Sequence, residues 1–333
     1  MKKMVQVINF LGLGFVLTLS LTANVMASCG CASCPIDTHT QEKIQKGMIR
    51  VDYSTEYINQ DQLRIGRHNA SVGEITGHHD EVSTLSQTQR IGLDIGLTSR
   101  LSLQAIMPFV HREHQHIHNH DDSPSLETWN FNGLGDLTLQ MRYLFFQPGK
   151  DSRPSLSTII GGIFPTGRDK ATNSEGDDAE AGILPGKHTT SLILGLSSLQ
   201  SFSVPTLSGA YAKMPLFLSS TYQWNGKGRE EYKIGNIWLA HVGLTYPVFP
   251  KVGVMMQLNL KVNRQDQPGE THEEVEKTGG TYVYATPGLQ LTMSENLNSY
   301  VYVQIPVYQR VNQIQLTSDF NLMSGISYRF SAL

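Results

Sequence analysis

The side chains best suited to chemistry lie in one short polar stretch, HREHQHIHNHDD at 111–122. Histidine occurs five times in its first ten residues, and an acidic pair follows. Neutral imidazole commonly binds Cu(II), Zn(II) and Ni(II), and alternating histidines share one side of an extended segment. The composition therefore predicts a transition-metal site in this polar stretch. The predicted ligands are His111, His114, His116, His118, His120 and Asp121, with His78 and His79 of the neighbouring polar segment. The alternative is a hydrophilic loop whose histidines bind nothing.

The three cysteines, Cys29, Cys31 and Cys34, form a second candidate metal-binding group near the N-terminus. Deprotonated thiolates are soft ligands for Cu(I) or Zn(II). Two alternatives remain open, a Cys31–Cys34 disulfide in an oxidising compartment and lipidation of Cys29 after a weak lipobox. Because cysteine and histidine clusters both suit copper, we expect copper first and zinc second as the bound metal.

The N-terminus has the three parts of a secretory signal peptide. Lys2 and Lys3 are followed by an apolar stretch at 8–21 and by VMA at 25–27, a cleavage site of small residues. The predicted organisation is a signal peptide at 1–27, a flexible cysteine-containing lead-in at 28–46 and a single β-domain at 47–333.

The elements that must position these residues are β-strands. In DLTLQMRY at 136–143, polar and apolar side chains alternate without interruption, which is the period of a strand with one polar and one apolar face. A strand of about ten residues, when tilted, crosses a bilayer. The pattern recurs about twelve times, with connections that mostly alternate between long and short. It predicts an all-β fold, a transmembrane antiparallel β-barrel of about 12 strands with long outer loops and short periplasmic turns.

The composition agrees with a barrel in a Gram-negative outer membrane. Hydrophobic residues make up 39% of the chain and mean hydropathy is -0.23, which is low for a helical membrane protein. A barrel explains this because half of each strand faces a polar interior. The formal net charge of -3 gives no case for a nucleic-acid partner. A soluble β-sandwich rich in tyrosine is the alternative that composition leaves open.

The phase of the strands assigns charged residues of both signs to the barrel interior. A lipid-facing charge would cost ~2–4 kcal/mol at mid-bilayer, so this sorting supports the strand assignment. Two interiors remain possible, a cross-linked polar interior with little or no pore and a narrow solute channel. The predicted lumen-lining residues are Arg50, Asp52, Glu56, Arg90, Asp94, Asp136, Arg142, His241, Lys261 and Arg329.

Several short motifs resemble the outer-membrane transporter-like family named for the meta-pathway of phenol degradation. They are GLGD at 133–136, PTG at 165–167, PG at 287–288 and the terminal YRF at 328–330. The resemblance runs from about Met48 to Phe330 and implies an outer-membrane barrel distantly related to hydrophobic-solute transporters of the fatty-acid channel type. The cysteine and histidine clusters are not part of that pattern.

Taken together, these features predict an outer-membrane channel or transport-related barrel that handles or binds metal ions through its histidine-rich loop. The alternatives are a non-conducting surface barrel that binds metal or a partner, and a transporter of small hydrophobic organic compounds. No catalytic residue is predicted, since HTTS at 188–191 is the only suggestion of a Ser–His pair. The expected partners are the lipid bilayer, small solutes or metal ions, and the barrel-assembly machinery. That machinery would recognise the C-terminal strand, GISYRF at 325–330, which departs from the usual pattern by three extra residues after Phe330.

Overall fold

The computed structural model describes residues 34–40, 44–75, 79–119, 124–147, 153–271 and 274–331. Within these ranges the regular secondary structure is β-strand, apart from one short 3-10 turn at Arg229–Glu231. No helix among the described residues is long and apolar enough to cross a membrane. The strands are β1 (Met48–Gln60), β2 (Gln62–Ile65), β3 (His68–Asn69), β4 (His79–Gly96), β5 (Leu101–His118), β6 (Ser125–Leu134), β7 (Leu137–Phe146), β8 (Ser155–Phe164), β9 (Ser191–Pro205), β10 (Tyr211–Asn225), β11 (Ile237–Phe249), β12 (Val252–Asn263), β13 (Gly280–Thr292), β14 (Leu297–Val311), β15 (Ile314–Thr317) and β16 (Asn321–Ser331).

The large sheet closes on itself as a twelve-strand antiparallel barrel. Strand β1 pairs with β16 on one side and β4 on the other, and β4 pairs with β5. Strands β6 and β7 share one position, since β7 pairs with the first half of β5 and β6 with its second half. Among the described residues, closure leaves no open sheet edge at the level of the bilayer, where unpaired backbone groups would not be tolerated; the one-sided strand β6 lies at the end opposite to Met48. The predicted fold class is confirmed.

The two ends of the barrel differ. Short turns at 97–100, 206–210, 250–251 and 293–296 lie at the end where Met48 pairs with Ser331. The opposite end carries the longer connections and a small separate sheet formed by β2, β3 and β15. Short turns are periplasmic in bacterial barrels and long loops are extracellular, so we call the second end the outer end.

Side chains alternate between the interior and the lipid-facing surface. On β1, Arg50, Asp52 and Glu56 are buried, whereas Val51 and Tyr53 are 37% and 42% exposed. Outward-facing residues of β5 are apolar as far as Phe109. The next two outward-facing positions are His111 and Glu113, so the apolar band ends there and the rest of β5 projects beyond the membrane.

The stretch expected to be a histidine loop is mostly strand. The sequence predicts a strand at 101–110 followed by a loop to 131, whereas β5 continues to His118 and returns as β6. Outside the bilayer polar residues occur on both faces of this hairpin, so the strand persists after its apolar–polar alternation has ended. We call the paired part of β5 and β6 the outer hairpin, Phe109–His118 with Ser125–Leu134.

Candidate functional site

A short piece of the N-terminal region, residues 34–40, lies inside the barrel; we call it the lumen segment. Cys34 is fully buried and packs against Tyr282 and Tyr284 of β13. The backbone carbonyl of Cys34 accepts a hydrogen bond from Gln304 Nε2 at 2.7 Å. These residues of the predicted lead-in thus contact the polar interior of the barrel, which offers partners that the sequence does not reveal.

Polar contacts hold the lumen segment in place. Asp37 Oδ2 accepts a hydrogen bond from Ser219 Oγ at 2.6 Å, and Asp37 Oδ1 accepts from the backbone N–H groups of His39 and Thr40. Arg142 Nη1 donates to the carbonyl oxygen of His39 at 3.0 Å, and Nη2 donates to Thr40 Oγ1 at 3.3 Å. Arg142, predicted to line the lumen, thus binds the segment that fills it.

A second predicted lumen pair also contacts this segment. Arg50 donates through Nε and Nη2 to Asp94 Oδ2, at 3.1 and 2.9 Å. His39 Nδ1 lies 2.7 Å from Arg50 Nη2 and 3.3 Å from Asp94 Oδ2. Gln104 Nε2 donates to Asp94 Oδ1 at 2.8 Å. The interior therefore matches the cross-linked alternative, with the lumen segment as part of the network.

The remaining predicted lumen residues pair with nearby strands. Arg90 Nη2 donates to Glu56 Oε2 at 2.6 Å, and the Tyr300 hydroxyl donates to Asp52 Oδ1 at 2.9 Å. His241 and Lys261 are buried, and Arg329 shares the inner face of the barrel with its cross-strand partner Arg50.

On the periplasmic side of the lumen segment the interior opens into a cavity of about 590 Å³. Thr38 of the segment forms part of its wall. Charged and aromatic side chains both line it, including Arg50, Asp52, Tyr300 and Phe249. A cavity of this size lies in the range of small-molecule sites, about 300–1,000 Å³.

Asp136 is a loop anchor at the break between β6 and β7. Its Oδ1 accepts a hydrogen bond from the backbone N–H of Gly167 at 2.9 Å, and Oδ2 accepts from that of Lys187 at 2.8 Å. A Cβ on Gly167 would lie 2.7 Å from the carbonyl carbon of Gly135, so only glycine permits this close approach. The GLGD and PTG motifs thus meet in space and fix the ends of the loop at 165–190.

The histidines of the outer hairpin do not all face the same way. His114, His116 and His118 point to the inner face, where His79 of β4 joins them. His111 points outward, with Nδ1 2.9 Å from Asn132 Oδ1. Cys34 lies instead among the tyrosines of β13. The other predicted ligands, His78, His120, Asp121, Cys29 and Cys31, lie outside the described residues, as does the predicted signal peptide.

The inner-face side chains converge around a few ligand atoms. His114 Nε2 lies 3.4 Å from His116 Nδ1 and 3.7 Å from Glu81 Oε2. His79 Nε2 lies 3.4 Å from Glu81 Oε1. His79, Glu81 and His116 each offer an atom within 4.8 Å of the others, a spacing that could hold a metal ion. We call His79, Glu81, His114 and His116 the histidine cluster.

Further polar side chains contact the histidines of this cluster. His114 Nδ1 lies 2.8 Å from Thr84 Oγ1, and His116 Nε2 lies 3.2 Å from Glu127 Oε2. Glu127 Oε1 also contacts His118 Nδ1 at 2.8 Å. His116, His118 and Glu127 form the other group with metal-binding spacing.

Burial sets the protonation of the cluster, which lies beyond the apolar band. Burial lowers the pKa of His114, and burial together with the nearby charge of His79 lowers the pKa of His116 to about 3. Both rings are therefore neutral at neutral pH and keep a lone pair for a ligand. Although burial acts against it, hydrogen bonding to Glu81 and the charge of Glu180 raise the pKa of His79 to about 9.

Sequence reasoning missed both carboxylates of this site. Glu81 lies directly across from His116 on β4, and Glu127 lies across from His116 on β6. A register shift between Glu81 and Ser83 turns Glu81 to the same face as Thr84. Pairing register and a bulge are not visible in one sequence; the only local signal is the H-x-E spacing of His79 and Glu81.

The histidine cluster borders a cavity at the outer end of the barrel, which we call the outer mouth. This cavity of about 410 Å³ is lined by His79, Glu180, Lys187 and Glu274, among others. Glu180 Oε1 lies 3.1 Å from His79 Nε2, so the same imidazole belongs to the cluster and to the cavity wall. On its other side the cluster is covered by Trp129, whose ring centroid is 4.6 Å from that of His116.

No protein-family model matches the sequence, and no curated protein matches it. Solved structures are similar. An outer-membrane channel from Pseudomonas putida F1 is 14% identical with a TM-score of 0.63, and the alignment covers 89% of this chain and 100% of that chain. The transport unit of the autotransporter AIDA-I from Escherichia coli is 10% identical, with a TM-score of 0.49 and coverages of 89% and 93%. The Ralstonia pickettii toluene transporter TbuX is 10% identical, with a TM-score of 0.43 and coverages of 94% and 100%.

The chain therefore has the fold of an outer-membrane β-barrel, and the resemblance drawn from its motifs is confirmed at the level of the fold. At 14% identity the similarity concerns architecture alone. It supports the outer membrane of a Gram-negative bacterium as the location.

Proposed function

We propose that this protein is an outer-membrane channel for small organic solutes, closed by its lumen segment. The observation that carries the proposal is the hold of Arg142 and Ser219 on residues 34–40. These contacts are hydrogen bonds to a segment that lies outside the barrel strands. A segment held in this way can leave without any strand pairing being broken, and its departure would open the interior.

The solute class is inferred from the cavity below the lumen segment. Its wall combines aromatic side chains, Tyr300 and Phe249, with the charged side chains of Arg50 and Asp52. Sites of this kind suit a small molecule with an apolar body and one polar group. The similar Pseudomonas putida structure is described as an outer-membrane channel, which agrees with a transport role.

Handling of transition-metal ions, copper or zinc, is the second candidate function. The observation that favours it is the histidine cluster at the outer mouth, where His79 is shared with the cavity wall. A third reading is a non-conducting barrel that binds a ligand only at its surface. A measurable conductance would support one of the first two candidates and exclude the third, the non-conducting barrel.

The test is single-channel conductance of the refolded protein in a planar bilayer. We expect the wild-type channel to be closed or only briefly open, and deletion of residues 34–40 to give long-lived open steps. Arg142→Met should raise the open fraction because it removes the two hydrogen bonds that Arg142 donates to the lumen segment. Arg90→Met is the matched control, since Arg90 pairs with Glu56.

Two outcomes would contradict the proposal. Equal conductance in the wild type and the deletion variant would show that the lumen segment does not close the barrel. If no variant conducts, although heat-dependent gel migration confirms that each is folded, the protein is a non-conducting barrel. Block of the open deletion variant by a small aromatic acid, but not by a sugar of similar mass, would support the solute class.

A further inference from the structure

We propose that His79, Glu81, His114 and His116 bind one divalent transition-metal ion, with zinc as the best fit. This site goes beyond the proposed channel function and does not depend on it. It lies at the outer end, above the apolar band, whereas the lumen segment lies within the barrel.

Three of the proposed ligands, His79, Glu81 and His116, each offer an atom within 4.8 Å of the others, and His114, beside His116 and Glu81, completes a set of four. Zinc binds imidazole nitrogen and carboxylate oxygen at about 2.0–2.1 Å, so atoms at the corners of a tetrahedron lie about 3.3 Å apart. The distance from His114 Nε2 to His116 Nδ1 and that from His79 Nε2 to Glu81 Oε1 are both 3.4 Å. Glu81 Oε2 to His114 Nε2 is 3.7 Å, which a small side-chain rotation would shorten.

The hydrogen-bond partners leave the correct nitrogens available. His114 Nδ1 is engaged by Thr84, which directs Nε2 into the cluster. His116 Nε2 is engaged by Glu127, which directs Nδ1 into the cluster. A ligating histidine usually donates its other ring N–H to a carboxylate, a carbonyl or water, and this fixes the tautomer that binds the metal. Glu127 is thus a positioning residue for His116.

Charge and access also favour a cation. The side chains of Glu81 and Glu127 are 5% and 10% exposed, and both carboxylates contact the imidazoles of the cluster, so an ion bound there would lie beside buried negative charge. An ion can reach the cluster through the outer-mouth cavity, because His79 and Glu180 belong to its wall.

The ligand set changes the order of metals expected from the sequence. Three imidazoles and one carboxylate in a compact group match the tetrahedral preference of Zn(II), whereas Cu(II) prefers tetragonal geometry. The sequence favours copper because the cysteine and histidine clusters both suit it. Cys34, the single cysteine among the described residues, lies in the lumen segment and is not one of these ligands.

The test is calorimetric titration of the refolded mature barrel with Zn(II), in a Cys29→Ser, Cys31→Ser background that removes the competing thiols. Replacement by Co(II) provides a visible spectrum that reports tetrahedral coordination. We expect one ion per chain and a tetrahedral Co(II) spectrum. His116→Ala should weaken zinc binding by more than about 100-fold. Loss of a residue that only hydrogen-bonds a metal ligand already weakens metal binding by about 10–100-fold.

Matched variants make the result specific. His111→Ala should bind zinc as the parent does, because His111 lies on the same strand but faces outward. Glu127→Gln should weaken binding by about 10–100-fold through His116 while retaining one ion per chain. If His116→Ala does not fold, the milder His116→Gln and the Co(II) spectrum of the parent replace it.

The proposal fails if the parent binds no ion, if the Co(II) spectrum is octahedral, or if His111→Ala is as damaging as His116→Ala. Tighter binding of Cu(II) with a tetragonal spectrum, lost in His116→Ala, would overturn zinc as the metal. Because binding is measured without conductance, failure of this site and failure of the channel proposal are separate results.

Discussion

The carboxylate of Asp136 joins three separate stretches of chain. It sits where β6 ends and β7 begins, and its two oxygens hold Gly167 and Lys187 at the two ends of the loop at 165–190. Lys187 in turn donates through Nζ to three carbonyl groups of the same loop. This loop carries Glu180, which contacts the histidine cluster. One buried acidic residue thus supports the outer mouth.

Asp136→Ala should therefore loosen the loop at 165–190 without opening the barrel. Two hydrogen bonds to a charged acceptor are lost, and the free energy of unfolding should fall by about 3 kcal/mol. Urea unfolding in detergent, followed by gel migration, measures this loss, and limited proteolysis should show new cleavage in the loop. Glu175→Ala, an exposed change in the same loop, is the control. Equal stability and equal cleavage in the two variants would refute the anchoring role.

At the scale of elements, the outer hairpin forms one wall of the site beyond the membrane. Its inner face carries the cluster histidines and Trp129, which lies directly across from His114. Trp129 is 2% exposed and packs with Phe131 and Ile183 in a small apolar core. Its indole N–H donates to the carbonyl of Asp177 at 3.2 Å. The hairpin and the loop at 165–190 therefore stabilise each other through an extracellular core.

Trp129→Ala should cost about 3–5 kcal/mol of unfolding free energy, since a large buried aromatic ring is removed. It should also weaken zinc binding, because His116 loses the ring that covers it. Trp224→Ala, which removes an outward-facing indole that is 43% exposed, should change stability by less than about 1 kcal/mol in the same detergent. Urea unfolding of both variants measures the two changes in unfolding free energy. If the Trp129 variant were as stable as the Trp224 variant, the apolar core around Trp129 would not stabilise the protein.

At the scale of the whole molecule, closure by β1 and β16 makes a barrel out of a sheet. The pairing runs from Met48 with Ser331 to Ile58 with Asn321. The last strand is therefore hydrogen-bonded to the first along most of the length of β1. Tyr328 and Phe330 face outward near its end, with ring centroids 6.0 Å apart. We propose that this aromatic end is what the barrel-assembly machinery binds.

Phe330→Ala should then reduce the amount of folded barrel in cells several-fold and leave refolding into detergent nearly unchanged. Assembly would suffer because a recognition side chain is lost, whereas Phe330 contributes little packing from its lipid-facing position. The measurement is the folded fraction in outer-membrane preparations, with Phe320→Ala, an exposed aromatic at the outer end, as the control. A parallel loss of in vitro refolding would assign Phe330 a structural role instead.

Local alternation was enough to predict most of the barrel. Each membrane strand shows it within its own residues, so strand number, the inward position of Arg50 and Asp94, and the alternation of short and long connections could be read directly. The strand ends could not be read in the same way. β5 continues to His118 because hydrogen bonding to β6 maintains it after the bilayer has stopped selecting apolar side chains.

The sequence by itself determined the fold class and the residue types of the candidate metal site, because both depend on periodicity and composition within short stretches. Only the tertiary structure decided which of those residues meet. Strand register sets Glu127 opposite His116, and a bulge near Ser83 turns Glu81 inward. The lumen segment is the clearest case, since its partners Ser219 and Arg142 are more than a hundred residues away. Contacts of that separation depend on barrel closure, which no local pattern encodes.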